Sequence, residues 1–161
     1  MSAWKALSSA ELLSLHAKIA EELRERGILR SSNNPTSDLA EHLFCRAFGW
    51  TQAGKSKRSA DATCQEGKLY QIKGRRVTPQ NNSRELSALR DLPTGGFHYL
   101  AGVLFAPDYS VTRAAIIPHD LVLKNSTYGK HANAWRFLLR DAAWSWPGVE
   151  DVTHKLRAVA L

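Results

Sequence analysis

The stretch from Ser59 to Arg76, SADATCQEGKLYQIKGRR, constrains this chain more than any other. Its first part, Ser59 to Cys64, is short and built of small residues, and its second, Lys68 to Val77, carries Tyr70, Ile72 and Val77. Both halves read as strands, and Glu66-Gly67 between them supplies the turn chemistry of a hairpin. Strand side chains alternate faces, so Gln71 and Lys73 point to one side while Tyr70 and Ile72 point to the other. If Tyr70 and Ile72 pack against a helical layer, the opposite face presents an amide oxygen and an ammonium together. Asp61, on the partner strand, reaches that same face.

The flanking chain predicts alternating helices and strands. Ser8 with Glu11 has capping-box spacing, which opens a scaffold helix running to about Arg26 with Gly27 as its stop and Leu12, Leu15, Ile19 and Leu23 on one stripe. Pro35 fits the first turn of a second helix that runs to Phe48 and ends at Gly49. Glu41 shares a face of that helix with Phe44 and Phe48, so its carboxylate either snorkels outward or points into a site at the sheet edge. Trp50 to Ala53 reads as a first strand, and Gly54 to Arg58 as a basic loop. After the hairpin, Asn82 to Leu92 predicts a helix capped by Ser83 and closed by Pro93 and Gly95-Gly96. Phe97 to Ala106 is the most apolar strand and reads as central. Val111 to Ile117 follows as a fifth strand, and Pro118 begins a short helix. The tail, with Trp135, Trp144 and Trp146, predicts a helix over Asn133 to Ala143 and a last strand or helix after Val152; the tryptophans are read as packing residues, and His131 and Asn133 as surface loop.

With 161 residues the chain fits a single domain, divided into an N-terminal helix over 1–30, a core over 35–117 and an extension over 118–161. Asp61 followed across a hairpin by Gln71-Ile72-Lys73 resembles the PD-(D/E)XK nuclease superfamily, the restriction-endonuclease-like fold. The resemblance implies an α/β fold with a mixed sheet, an αβββαβ core, here carrying one extra helix in front and a Trp-rich C-terminal extension. Ala60 stands where the motif has Pro, and Gln71 where it has Asp or Glu. What the resemblance implies for chemistry is a Mg2+ site, with Mn2+ able to substitute, whose ligands are Asp61, Gln71, Glu41 and the carbonyl of Ile72, beside Lys73 as the residue that orients or deprotonates the attacking water. The catalytic set is therefore Glu41, Asp61, Gln71 and Lys73. A Gln in place of one acid makes the site less negative and weakens its hold on a cation.

The balance of 22 Lys plus Arg against 15 Asp plus Glu leaves a formal charge of +7, which favours a polyanionic partner. Lys55, Lys57 and Arg58 before Asp61, and Arg75 and Arg76 after Lys73, fit phosphate-backbone contacts. Cys45 and Cys64 are the only cysteines and read as buried reduced thiols. With no apolar run long enough to span a membrane and no secretory h-region, the expected setting is intracellular, in the cytoplasm. The expected function is that of a Mg2+-dependent endodeoxyribonuclease of restriction, repair or junction-processing type, acting as a homodimer on DNA. Two other readings stay open: a catalytically inactive module of the same fold that binds nucleic acid or a partner protein, and a basic α/β interaction protein in which Glu41, Asp61 and Lys73 form an ion-pair network.

Overall fold

The computed structural model describes residues 2–32, 34–54 and 60–161. Strand β4 (Tyr99–Phe105) lies near the middle of a six-stranded sheet, and every residue of it after Tyr99 is buried. Such an unbroken apolar run is stable as a strand only where both sheet faces are covered. The other strands are β1 (Thr51–Gln52), β2 (Ala62–Thr63), β3 (Leu69–Arg76), β5 (Val111–Pro118) and β8 (Glu150–Asp151), in the order β1-β2-β3-β4-β5-β8. Only β3 and β4 run parallel; the other neighbours are antiparallel.

One face of the sheet is covered by helix α2 (Pro35–Phe48) and the short helix α4 (Thr153–Arg157). Leu39, Ala40, Leu43 and Phe44 from α2 and Leu156 from α4 pack on Ile72, Ala101, Val103 and Phe105. Helix α2 begins at Pro35, with Asn34 accepting the N–H of Thr36 at 3.0 Å, and ends at Gly49 in the left-handed region with φ 66°, as the sequence predicts. The opposite face carries a second apolar cluster built from Leu86, Leu89, Leu92 and Phe97 of the β3–β4 crossover and Phe137, Leu139 and Ala143 of the tail, laid over Leu100, Leu104 and Ile117.

That second face corrects two expectations. The segment read as a helix over Asn82 to Leu92 is not one, and neither is Asn133 to Ala143. The two segments pair with each other in extended form: Leu89 and Trp135 exchange backbone hydrogen bonds of 3.0 and 2.8 Å, and Leu86 donates to the carbonyl of Phe137 at 3.0 Å. The tail instead forms β6 (Thr127–Gly129) and β7 (Ala134–Arg136), a two-stranded sheet, followed by a 3-10 turn at Asp141–Ser145. The crossover keeps one 3-10 turn, Leu92–Thr94. Leu86, Leu89 and Leu92 are all buried, so their spacing serves a covering layer as well as it would a helix face. The protein is thus mixed α/β with a mixed, mostly antiparallel sheet, and the second helix of the expected αβββαβ order is replaced by irregular chain.

Helix α1 (Ser9–Glu25) carries the expected capping box, with Ser8 Oγ accepting from the Glu11 N–H at 3.3 Å and Glu11 accepting from the Ser8 N–H at 2.7 Å. No residue of α1 is buried, and Ile19, at the centre of its apolar stripe, is 52% exposed. The short helix expected after Pro118 is α3 (His119–Lys124). Among the described residues no helix is long and apolar enough to cross a membrane.

Candidate active site

The β2–β3 hairpin fixes the position of Asp61. Its register pairs Ala62 with Tyr70 and Thr63 with Leu69, and Gly67 closes the turn at φ 80°, donating to the carbonyl of Cys64 at 3.0 Å. One residue further along, Asp61 donates its N–H to the carbonyl of Tyr70 at 2.8 Å, and its own carbonyl accepts the N–H of Ala53 at 2.8 Å. The next open N–H of β3 belongs to Ile72, and the side chain of Asp61 takes it: Oδ2 accepts from Ile72 at 2.7 Å and from Nε2 of Gln71 at 2.8 Å. Oδ1 receives no hydrogen bond among the described residues.

Ile72 packs into the α2 cluster, and Gly74 faces Ala40 of α2 as well. By strand alternation Gln71 and Lys73 lie on the other face, as the sequence predicts. The ammonium of Lys73 is half-buried and, among the described residues, donates only a long 3.4 Å contact to the carbonyl of Ala88. Glu41 approaches from α2; Oε2 accepts from Nε2 of Gln52 at 2.7 Å and lies 3.6 Å from the Arg30 guanidinium.

The charges of Glu41, Asp61 and Lys73 act on one another. Burial raises Asp61 above the usual carboxylate range, opposed by the Ile72 N–H and by Lys73. Burial also raises Glu41; the Gln52 hydrogen bond opposes the rise, while the charge of Asp61 adds to it. Burial lowers Lys73, although Asp61 and Glu41 both pull it upward. Cys45, one helical turn beyond Glu41, is pushed up to about 11 by burial and then by those two carboxylates. Three ionisable groups are thus held in partly dehydrated surroundings, each with its charged form disfavoured by burial.

The donor set fits a hard divalent cation. It offers the carboxylates of Asp61 and Glu41, the amide of Gln71 and the carbonyl of Ile72, which leaves β3 on the edge where the Ile72 N–H meets Asp61. All are oxygens, and Oδ1 of Asp61 has no competing donor among the described residues. No group of three or more His, Cys, Asp or Glu residues able to hold a metal occurs among the described residues, so a cation here takes the rest of its shell from neutral oxygens and water, as magnesium readily does. In the present arrangement Gln71 turns its N–H toward Asp61, and an amide rotation exchanges that donor for its oxygen.

The basic residues divide. Lys55, Lys57 and Arg58 lie outside the described residues. Arg75 shares the face of Lys73 and donates to the carbonyl of Ser83 at 3.1 Å and to Oδ1 of Asn81 at 3.0 Å, which ties down the crossover. Arg76 lies on the opposite face, over the ring of Tyr109 at 4.7 Å and bonded to the carbonyl of Pro107 at 2.8 Å. The two arginines therefore point away from each other, and only Arg75 is on the side of Gln71 and Lys73.

Sequence reasoning missed Gln52 and Arg30, the partners of Glu41. Gln52 follows Thr51 in a two-residue strand too short to show a period, and Arg30 sits in a loop, so no local signal marks either. No protein-family model matches the chain, and no curated protein does.

Proposed function

We propose that this protein is a metal-dependent endonuclease that hydrolyses phosphodiester bonds, with DNA as substrate. One observation carries the reading: Asp61, Gln71 and Lys73 converge at the point where β2 leaves β3, beside Glu41, in an all-oxygen donor set with a half-buried lysine. When bound, a magnesium or manganese ion would supply charge compensation for the phosphoryl oxygens and a more acidic water. Asp61, Glu41, the Gln71 amide and the Ile72 carbonyl are the groups that hold it.

Lys73 orients the attacking water at Nζ; in its neutral form, which burial favours, it takes a proton from that water as the new P–O bond forms, and the leaving oxygen takes a proton from solvent water as its bond to phosphorus breaks. In its charged form it offsets the negative charge growing on the phosphoryl group. Gln52 and Arg30 hold Glu41 in place. The net charge of +7 suits a polyanionic substrate. The setting in this reading is the cell interior, and cutting both strands of a duplex calls for a second copy of the chain.

The rival reading, a non-catalytic binding module, is favoured by a different observation: Oδ2 of Asp61 accepts from both the Ile72 N–H and the Gln71 amide, so the carboxylate also has a purely structural use in closing the hairpin. Incubation of plasmid, branched and single-stranded DNA with Mg2+ or Mn2+ separates the two. Metal-dependent cutting that is abolished by Asp61→Ala and by Lys73→Ala, with folding intact, supports the enzyme; binding without cutting across metals and substrates supports the module.

A further inference from the structure

Beside the candidate site lies a cleft of about 600 Å3 whose walls come from three separate parts of the chain. Gln71 of β3 forms one side, Arg90, Asp91 and Phe97 of the crossover form another, and Asn133 of the β6–β7 turn closes it. Gln71 is common to cleft and site, since the same side chain bonds Asp61. The cleft exists because the crossover is not a helix. Its extended pairing with β7 through Leu89 and Trp135 carries the β6–β7 turn to the rim.

The polar groups are held in definite directions. Asp91 and Asn133 both adopt the left-handed backbone region, with φ 52° and 46°, a conformation that Asp and Asn tolerate better than other side chains. Asn133 accepts the phenolic hydrogen of Tyr128 at its Oδ1, 2.7 Å away, which leaves its N–H2 as the end available for a ligand. Gln71 gives its N–H2 to Asp61, which leaves its carbonyl oxygen toward the cleft; when that oxygen turns to a cation, the N–H2 takes its place as the group the cleft presents. Arg90 is exposed and makes no hydrogen bond or ion pair among the described residues. The cleft thus offers a neutral donor, a neutral acceptor, a carboxylate and one guanidinium unengaged among the described residues, over a floor where the otherwise buried Phe97 comes to the surface.

We infer that this cleft receives one unpaired nucleotide of the substrate, adjacent to the phosphodiester presented to Asp61. This rests on the nuclease reading and narrows it to substrates with unstacked bases near the cut, namely single strands, flaps and branched junctions. Amide and carboxylate groups match the donor and acceptor edge of a base, Arg90 matches its phosphate, and the volume is that of a small-molecule site, typically ~300–1,000 Å3. A base paired in a duplex has its edge engaged and its faces stacked. It enters such a concavity only after being extruded, which costs least when the strand is already single.

The test is fluorescence anisotropy in EDTA, which separates binding from cleavage, using a labelled single-stranded oligodeoxynucleotide and its fully paired duplex. The expected result is single-strand affinity higher than duplex affinity by about tenfold, the scale of one base held by hydrogen bonds. Asn133→Ala and Arg90→Ala each erode that preference, and Asn133→Ala, which removes no charge, leaves duplex affinity where it was. Both residues are exposed, and thermal melting of each variant checks its fold. Equal affinity for the two DNA forms, no binding of either, or a preference that neither variant alters overturns the inference. A parallel Mg2+ cleavage assay keeps the two readings apart. Cutting that depends on Asp61 without a single-strand preference leaves the nuclease and removes the cleft's role. A preference lost in Asn133→Ala, with no cutting by the unaltered protein, leaves the cleft and removes the nuclease.

Discussion

Asp61 and Ile72 are joined side chain to backbone, with Oδ2 accepting the Ile72 N–H at 2.7 Å where β2 parts from β3. The carboxylate therefore ends a strand ladder as well as facing the candidate metal position. The two roles separate by substitution. Asp61→Asn keeps an oxygen acceptor for Ile72 and removes a charge that burial disfavours, so its unfolding free energy should stay within ~1 kcal/mol of the unaltered protein. Asp61→Ala leaves two donors without an acceptor and should cost about 1–3 kcal/mol. Both should lose cleavage. Urea unfolding alongside the cleavage assay checks this, and an active Asp61→Asn protein would sink the assignment of Asp61 as a metal ligand.

The raised carboxyls and the lowered lysine predict opposite pH slopes. Glu41 and Asp61 hold their protons in the folded state above their ordinary values of 4.5 and 3.8. Between those values and the higher folded ones the folded chain binds more protons than the unfolded one, so their contribution to stability falls as pH rises. Lys73 releases its proton in the folded state below its ordinary 10.5. In the window beneath 10.5 the unfolded chain binds more protons, so the lysine's contribution rises with pH and is lost as pH falls through the folded value. Glu41→Gln should flatten the acid-side slope of the urea midpoint and Lys73→Met the alkaline-side one. Unchanged slopes in both variants would mean that the three groups are more hydrated than their burial implies.

Much of the frame is legible in the sequence because its signals are local. The capping box of Ser8 and Glu11, Pro35 and Gly49 bracketing α2, and the apolar run at Tyr99–Phe105 each act within a few residues. The grouping of Asp61, Gln71 and Lys73 is legible for a similar reason, since one hairpin and the two-residue strand period bring them together. The layer over the second sheet face is not. Leu86, Leu89 and Leu92 suit a helix as well as a covering strand, and the choice is made by Trp135 and Phe137, distant in sequence, which take the backbone hydrogen bonds. Asn133 reads as ordinary surface loop for the same reason: its place at the cleft depends on that long-range pairing.

Gly74 faces α2 at close range. A Cβ there would lie 3.0 Å from Cβ of Ala40, 3.2 Å from the Phe105 ring and 3.2 Å from the carbonyl of Thr36. Two of these neighbours belong to α2 itself, so relief comes by moving the helix that carries Glu41. Gly74→Ala should cost about 1–3 kcal/mol and lower kcat. Gly102→Ala is the control: its nearest neighbour, also at 3.0 Å, is a terminal methyl of Leu139 that can rotate away. It should cost less and leave kcat unchanged. Equal losses of kcat in the two variants would show that the α2–β3 distance does not set the position of Glu41.

Gln71→Glu restores the acid that the PD-(D/E)XK pattern has at this position, and the structure gives the substitution opposite effects with and without metal. The Gln71 amide donates to Oδ2 of Asp61 at 2.8 Å. A glutamate there removes the donor and sets a second carboxylate against the first, in a place where burial already disfavours the charge of Asp61. The loss should be about 1–3 kcal/mol in EDTA. A divalent cation reverses the balance, because a third carboxylate is then a stronger oxygen ligand than an amide. Ligand linkage should return stability as Mg2+ or Mn2+ is added, by about 2.7 kcal/mol at a hundredfold excess over Kd. The variant should also reach half-maximal cleavage at a lower metal concentration than the unaltered protein. Differential scanning fluorimetry across a metal titration reads both effects. A variant as stable as the unaltered protein in EDTA and no more responsive to metal would mean that Gln71 neither supports Asp61 nor faces a cation.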